Sequence, residues 1–288
     1  MKNSIPSIQA RLKNIAKKEK KAFQILLIRY FTERLIYRLS VSSYKKHFCL
    51  KGGALLYAYE RESSRPTMDL DLLGLRISND HTQLRAVFQE ICQIDCQEDG
   101  ILFLYESIVT SEIRKEGRYS GVRLKIDGRL GNIRQMSQID IGFGDVVTPA
   151  PVEMTYPTLL PLPEPKILAY SIETVIAEKF EAMISLAAQN SRMKDFYDVF
   201  WLLQNKHLQE EVLAEAIQNT FAQRETLFQK NHVVFEEEFG SNPKRHVEWQ
   251  AFLKKMNRYI VVDSLDFKQV MSMIVERLQP IFKKLSDG

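Results

Sequence analysis

The sequence predicts an α/β protein of the α+β kind: a mixed sheet flanked by helices, with a helical C-terminal region. Three observations carry that expectation. His47-Phe48-Cys49-Leu50 is a short apolar run ending near Gly52-Gly53, after which Ala54–Tyr59 resumes helical spacing. Met68-Asp69-Leu70-Asp71-Leu72 alternates strictly, and Gln138–Asp145 repeats the apolar–Asp–apolar signature. From 172 to 284 the texture is helical, in stretches near 172–188, 193–204, 208–219, 245–259 and 265–284. The last carries Phe267, Val270, Ile274, Leu278 and Ile281 as one stripe.

Residues 7–40 read as a helical lead. Leu12, Ile15, Ala16, Phe23, Leu26, Leu27, Tyr30 and Phe31 keep helical spacing without Pro or Gly, and a break near Ser40–Ser43 ends the run. Arg11, Lys13, Lys17, Lys18, Lys20 and Lys21 crowd its first part, with Glu19 as the one acid among them. That is either a solvated helix face or a contact for a polyanion. Strand, glycine turn and helix follow over 45–59. The alternation then places Met68, Leu70 and Leu72 on one sheet face and Asp69 and Asp71 on the other. A helix is expected over 79–93, and strands over Ile101–Ser107 and Gly121–Leu130. Pro149, Pro151, Pro157, Pro161, Pro163 and Pro165 fall within seventeen residues. They exclude regular helix and central strand there and suggest a surface connector. The expected domains are a lead at 1–44, a core at 45–165 and a helical domain at 166–288.

Composition narrows the function classes. The chain has 288 residues, 45% hydrophobic and 26% charged, which excludes wholesale disorder. Cys49, Cys92 and Cys96 are too few for a secreted disulfide framework. The start, MKNSIPSIQARLKN, has no apolar core of a secretory leader, and runs such as Ile25–Ile28 are far short of a membrane span. A reducing, cytoplasmic protein with no membrane partner is expected. The net charge of +4 is well below that of a histone-like binder. There is no Walker phosphate loop and no Gly-x-Ser-x-Gly elbow, and His47, His81, His207, His232 and His246 lack zinc-protease spacing. Cys92 and Cys96 with His81 lack a second ligand pair for zinc and read as buried thiols. Phe200 and Trp201 read as core.

The informative set is Gly52, Gly53, Asp69, Asp71 and Asp140. Positions i and i+2 of a strand share a face about 6.5–7 Å apart, so the Asp69 and Asp71 carboxylates can converge. At about 4 Å they would repel by about 4 kcal/mol at an effective dielectric near 20. A divalent cation relieves that repulsion, and hard oxygen ligands favour Mg²⁺ or Mn²⁺. Asp140, between Ile139 and Ile141, has the context of a third ligand from a neighbouring strand. A Gly-Gly turn into a helix offers backbone N–H groups and a positive helix end to a phosphate. Lys51, Thr67 and Ser63-Ser64 stand close enough in sequence to join it. Either pair alone is weak, since an Asp-x-Asp can be a solvated strand face. In order, the three elements suit a nucleoside triphosphate with its metal.

These motifs resemble those of the polymerase-beta-like nucleotidyltransferase superfamily. The segments LKGGALL, RPTMDLDLLG, EDGI, YSGVRL, IDIGFGDVVTP, YPTLLPLPEP, ETVIAEKFEAM and NSRMKDFYDVFWL, spread over 7–205, resemble the AbiEii/AbiGii family of toxins from bacterial abortive-infection and toxin–antitoxin systems. The resemblance implies a nucleotidyltransferase fold and transfer of a nucleotide from an NTP to an acceptor hydroxyl. It also implies tRNA as an acceptor class and a separately encoded antitoxin as partner. It places the phosphate cradle at Gly52 and Gly53, metal ligands at Asp69 and Asp71, the third-motif lysine at Lys179, and fourth-motif groups at Arg192, Lys194, Asp195 and Asp198. The residues themselves leave alternatives open. Lys179 could pair with Glu178 or Glu181 on a helix surface. Asp195 could orient Lys179, accept a proton from the acceptor, or cap a helix start electrostatically. Tyr119, Gly121 and Arg123 could contact a base or an RNA phosphate, or open a strand. The other readings of the whole are transfer to a small molecule or protein, and a non-catalytic module that holds RNA or a partner.

Overall fold

The computed structural model describes residues 4–60, 65–113, 121–257 and 265–287. The chain divides into two compact units: Met1–Gly144 with Val152–Ala169, and Asp145–Pro151 with Tyr170–Gly288. Ser63, Ser64 and Tyr119, singled out in the sequence, lie outside the described residues.

The first unit opens with α1 (Ile5–Lys18) and α2 (Phe23–Val41), where the sequence suggests one helix. Lys20 adopts a left-handed φ of 54°, and the Lys21 N–H donates to the Ala16 carbonyl at 2.9 Å. That is a left-handed helix stop made without glycine. The apolar spacing continues across the break, so periodicity does not reveal it. Ile8, Leu12 and Ala16 bury one face of α1. Lys21 turns inward onto Glu19 at 2.9 Å, leaving Lys13, Lys17, Lys18 and Lys20 as the exposed part of the basic run.

Helix α2 is buried nearly all round, charged residues included. Arg38 donates to both Asp99 oxygens, at 2.7 and 3.2 Å, and Arg34 Nε donates to Asp99 Oδ2 at 3.2 Å. The Glu33 carboxylate accepts the Leu159 N–H at 2.8 Å. Burial, only partly opposed by that bond and by Arg34, pushes the Glu33 carboxyl up to about 8.

Next come β1 (Phe48–Lys51), α3 (Gly52–Glu60), β2 (Asp69–Gly74), α4 (His81–Gln93), β3 (Ile101–Phe103), β4 (Val109–Ile113), β5 (Gly121–Leu130), β6 (Ile133–Phe143), β7 (Val152–Thr155) and β8 (Lys166–Ala169). They form one eight-stranded mixed sheet in the order β3-β5-β6-β2-β1-β8-β7, with β4 also paired to β5. Strand β2 lies antiparallel to β1 and parallel to β6. Helix α4 starts at Asp80, whose carboxylate accepts the Gln83 N–H at 2.8 Å.

Several expectations are corrected. The strand expected over Ile101–Ser107 stops at Phe103, because 105–107 is a 3-10 turn. Strand β4 has no counterpart among the sequence expectations. Its five residues alternate weakly and are mostly exposed. The proline-rich connector contains β7, an edge strand, where missing N–H groups cost least. Met68 precedes β2 and is 58% exposed, so it is not on the core face. Leu50, Leu72, Ile141 and Val122 stand in register across β1, β2, β6 and β5, and all four are buried. Leu70, Ile139 and Leu124 make the next buried row.

The second unit contains α5 (Ile172–Leu186), α6 (Met193–Asn205), α7 (Glu210–Gln223), α8 (Glu237–Ser241), α9 (Pro243–Met256) and α10 (Phe267–Asp287). Ser171 caps α5, accepting the Thr174 N–H at 3.1 Å. Phe180, Phe221, Phe228, Phe235 and Phe282 form one aromatic core. Trp249, Tyr197 and Phe267 belong to another. Phe200 and Trp201, expected in the core, are both half-buried, with the Lys206 ammonium 5.2 Å from the Trp201 ring. No helix among the described residues is long and apolar enough to cross a membrane.

Candidate active site

Strand β1 runs directly into α3 at Gly52, which has a φ of 66°. A Cβ there would sit 2.0 Å from Asp71 Oδ2. A Cβ on Gly53 would sit 2.5 Å from Thr67 Oγ1. Thr67 in turn donates to Asp69 Oδ1 at 2.8 Å. The two glycines therefore let the first turn of α3 close onto the residues that carry and orient the acidic pair. Any side chain at either position would push the helix start and the acidic strand apart.

Asp69 and Asp71 share the face of β2 opposite Leu70 and Leu72. Asp140 is the β6 residue directly across from Asp71. One carboxylate oxygen from each of Asp69, Asp71 and Asp140 lies within 4.8 Å of the others, and all three residues are half-buried. Three converging hard-oxygen donors are the ligand type that divalent Mg²⁺ or Mn²⁺ takes, so the donor set fits such an ion. The cross-strand row continues on both sides, with Lys51 opposite Asp71 on β1 and Arg123 opposite Asp140 on β5. Arg123 Nε and Nη2 donate to the two Asp140 oxygens at 2.8 and 2.7 Å. That hydrogen-bonded fork, backed by the charges of Asp140, Asp69 and Asp71, raises the guanidinium pKa against the opposing effect of burial.

The second unit holds a separate ionic cluster. Lys179 on α5 donates to Asp195 Oδ1 at 2.8 Å and to Asp198 Oδ2 at 2.7 Å, both on α6. Arg192 Nε meets Asp195 Oδ2 at 2.7 Å. Asp195 has a fully buried side chain. Burial alone would push its carboxyl up; the Lys179 and Arg192 charges outweigh that and hold it below the usual carboxylate range. Lys194 is exposed on the first turn of α6. A third group of charges, not singled out as a site in the sequence, surrounds Arg224. It meets Asp145 at 3.1 Å, Glu178 at 2.9 Å and Glu181 at 2.7 Å.

The family described as "Nucleotidyl transferase AbiEii toxin, Type IV TA system" matches residues 34–269. The chain belongs to the AbiEii nucleotidyl transferase toxin family. Among solved structures, JHP933 from Helicobacter pylori is similar at a TM-score of 0.52 and 15% identity, over 93% of this chain and 95% of that one. A candidate nucleotidyltransferase from H. pylori is similar at 0.51 and 15%, over 91% and 96%. At those identities the two structures establish the fold. The comparison with curated proteins found no match. Membership of the AbiEii family makes the chain a nucleotidyltransferase of the type IV toxin–antitoxin kind, and it implies a nucleotide substrate and an antitoxin partner.

In this AbiEii chain the sequence-named residues fall into two sets. Gly52, Gly53, Thr67, Asp69, Asp71 and Asp140 come together in the first unit, with Lys51 in the same cross-strand row. Lys179, Arg192, Asp195 and Asp198 come together in the second. Lys179 bonds to Asp195 and Asp198, which face it from α6, where the sequence offered Glu178 or Glu181. Arg123 lies at the start of β5, one of the two places its sequence context allows, but its pairing with Asp140 is not among the sequence expectations. A signal was present. Gly131-Asn132 makes a two-residue hairpin turn, so Leu130 pairs with Ile133, and counting back puts Arg123 opposite Asp140. Cys49 and Cys92 are buried, and burial pushes the Cys92 thiol up to about 12, so it is inert.

Proposed function

We propose that this protein transfers a nucleotide from an NTP to a hydroxyl of an RNA acceptor, with tRNA as the acceptor class, in a reaction that depends on Mg²⁺ or Mn²⁺. The observation that carries the reading is the contact of Gly52 with the Asp71 carboxylate, which puts a helix N-terminus against a converging acidic set. Asp69 and Asp71 would hold the ion, with Asp140 beside them. When bound, the ion supplies charge stabilisation for the attacking and leaving oxygens of an in-line displacement at the α-phosphorus. Thr67 fixes the Asp69 rotamer through its hydroxyl. The Gly52 and Gly53 amides, at the positive end of α3, bind phosphate oxygens, and Lys51 adds a cation in the same row.

In the second unit Asp195 orients Lys179, with Asp198 beside it and Arg192 on its other oxygen. The exposed lysines of and just beyond α1 supply sequence-independent attraction to an RNA backbone. Blocking a tRNA end would account for toxicity, and a reducing cytoplasm is the setting such a substrate requires. Incubating the protein with each α-³²P-labelled NTP and separate RNA, protein and small-molecule pools tests the acceptor. Label in the RNA pool, concentrated in tRNA, supports the reading. Label in another pool overturns it.

A further inference from the structure

The acidic set carries its own cation. Arg123 reaches Asp140 through two nitrogens and both carboxylate oxygens, so Asp140 is engaged on the side where a third metal ligand would act. The two partners differ in freedom: the Asp140 side chain is 15% exposed and that of Arg123 37%. The arginine is the one with room to leave. A guanidinium fork matches phosphate as well as it matches carboxylate. Exchanging one for the other keeps the fork satisfied and releases Asp140.

We propose that Arg123 is a positioning residue that stands in for the divalent ion at Asp140 and passes its fork to the triphosphate when the metal-bound nucleotide enters. This rests on the metal reading of Asp69 and Asp71 given above. A bare ion meets a cluster that Arg123 has already partly neutralised. The metal–triphosphate brings oxygens that take the fork over, so the site favours the loaded ion over the free one. The hairpin register fixes the pairing, because Arg123 stands opposite Asp140 and Asp140 opposite Asp71.

The test uses the full chain as wild type, Arg123→Gln, Arg123→Lys and Asp140→Asn. Each is titrated with Mn²⁺ alone, reading free Mn²⁺ by electron paramagnetic resonance, and then with Mg²⁺ and inorganic triphosphate by calorimetry. Arg123→Gln binds Mn²⁺ about tenfold tighter and magnesium triphosphate about tenfold weaker than wild type. Arg123→Lys, which keeps the charge and loses the fork, shifts both in the same directions by less, and it carries the test if the Gln variant fails to fold. Adding Arg123→Gln to Asp140→Asn brings no further gain in Mn²⁺ affinity. Mn²⁺ affinity equal to or below wild type in the Arg123 variants overturns the proposal while leaving the metal reading intact. If no form shows Mn²⁺ binding that Asp69→Asn and Asp71→Asn remove, the metal reading fails and this inference falls with it.

Discussion

Gly52 joins backbone conformation to chemistry at a single atom. Alanine there has to accept a φ of 66°, which costs about 1–2 kcal/mol, and its Cβ overlaps Asp71 Oδ2. Gly52→Ala should therefore lower stability by about 2 kcal/mol in urea melts and weaken Mn²⁺ binding together. Intact metal affinity would separate the turn from the acidic set. Lys179 makes a different case, because it neutralises two buried carboxylates at once. Lys179→Met should cost about 2–3 kcal/mol, below the usual cost of breaking a buried pair because Arg192 still serves Asp195. Adding Asp195→Asn and Asp198→Asn should return most of that loss. If the triple variant is no more stable than Lys179→Met, the cluster is not the reason Lys179 is held.

At the scale of elements, α2 is set by its buried charges as much as by its apolar faces. Glu33 has a folded pKa of about 8 against 4.5 for the free group. Its stabilising contribution is complete below 4.5 and is lost as the pH climbs through 8. Glu33→Gln keeps the acceptor for the Leu159 N–H and removes the titration. The melting temperature of the variant relative to wild type should rise between pH 6 and pH 9, and a constant difference would contradict the burial argument. The comparison with wild type removes the opposite effect of His232, whose pKa burial lowers. Arg224 ties α7 to α5 and to the 145–151 segment through three carboxylates. Arg224→Met should cost about 3–5 kcal/mol by removing the cation the three carboxylates share, checked by denaturant unfolding.

These elements also mark what the sequence could and could not convey. Helices α5, α6, α7, α9 and α10 were legible because each repeats an apolar stripe long enough to read, and β5 and β6 because they alternate; five-residue α8 is too short to carry such a stripe. The α1–α2 break was not, since the apolar spacing runs through Lys20. The short strands β4, β7 and β8 were not, because four or five residues beside prolines or on an edge carry little pattern. The residue types of the acidic set were legible in order along the chain. Its wiring was not, because the Arg123–Asp140 fork depends on hairpin register and the Lys179 cluster on two helices meeting.

For the whole molecule, family membership is what makes the chain a nucleotidyltransferase. The basic character is modest, +4 over 288 residues, so an RNA acceptor would be held by local lysines, and its binding should weaken steeply with salt. What distinguishes nucleotidyl transfer from any other use of a triphosphate is which phosphorus stays with the acceptor. The most direct measurement compares α-³²P- and γ-³²P-labelled NTP, with total RNA and Mg²⁺, for the wild type and Asp71→Asn. The account predicts α-label in RNA, γ-label only in released pyrophosphate, and loss of transfer by at least about a thousandfold in the variant. Transfer of γ-label, or Asp71→Asn working at the wild-type rate, would contradict it.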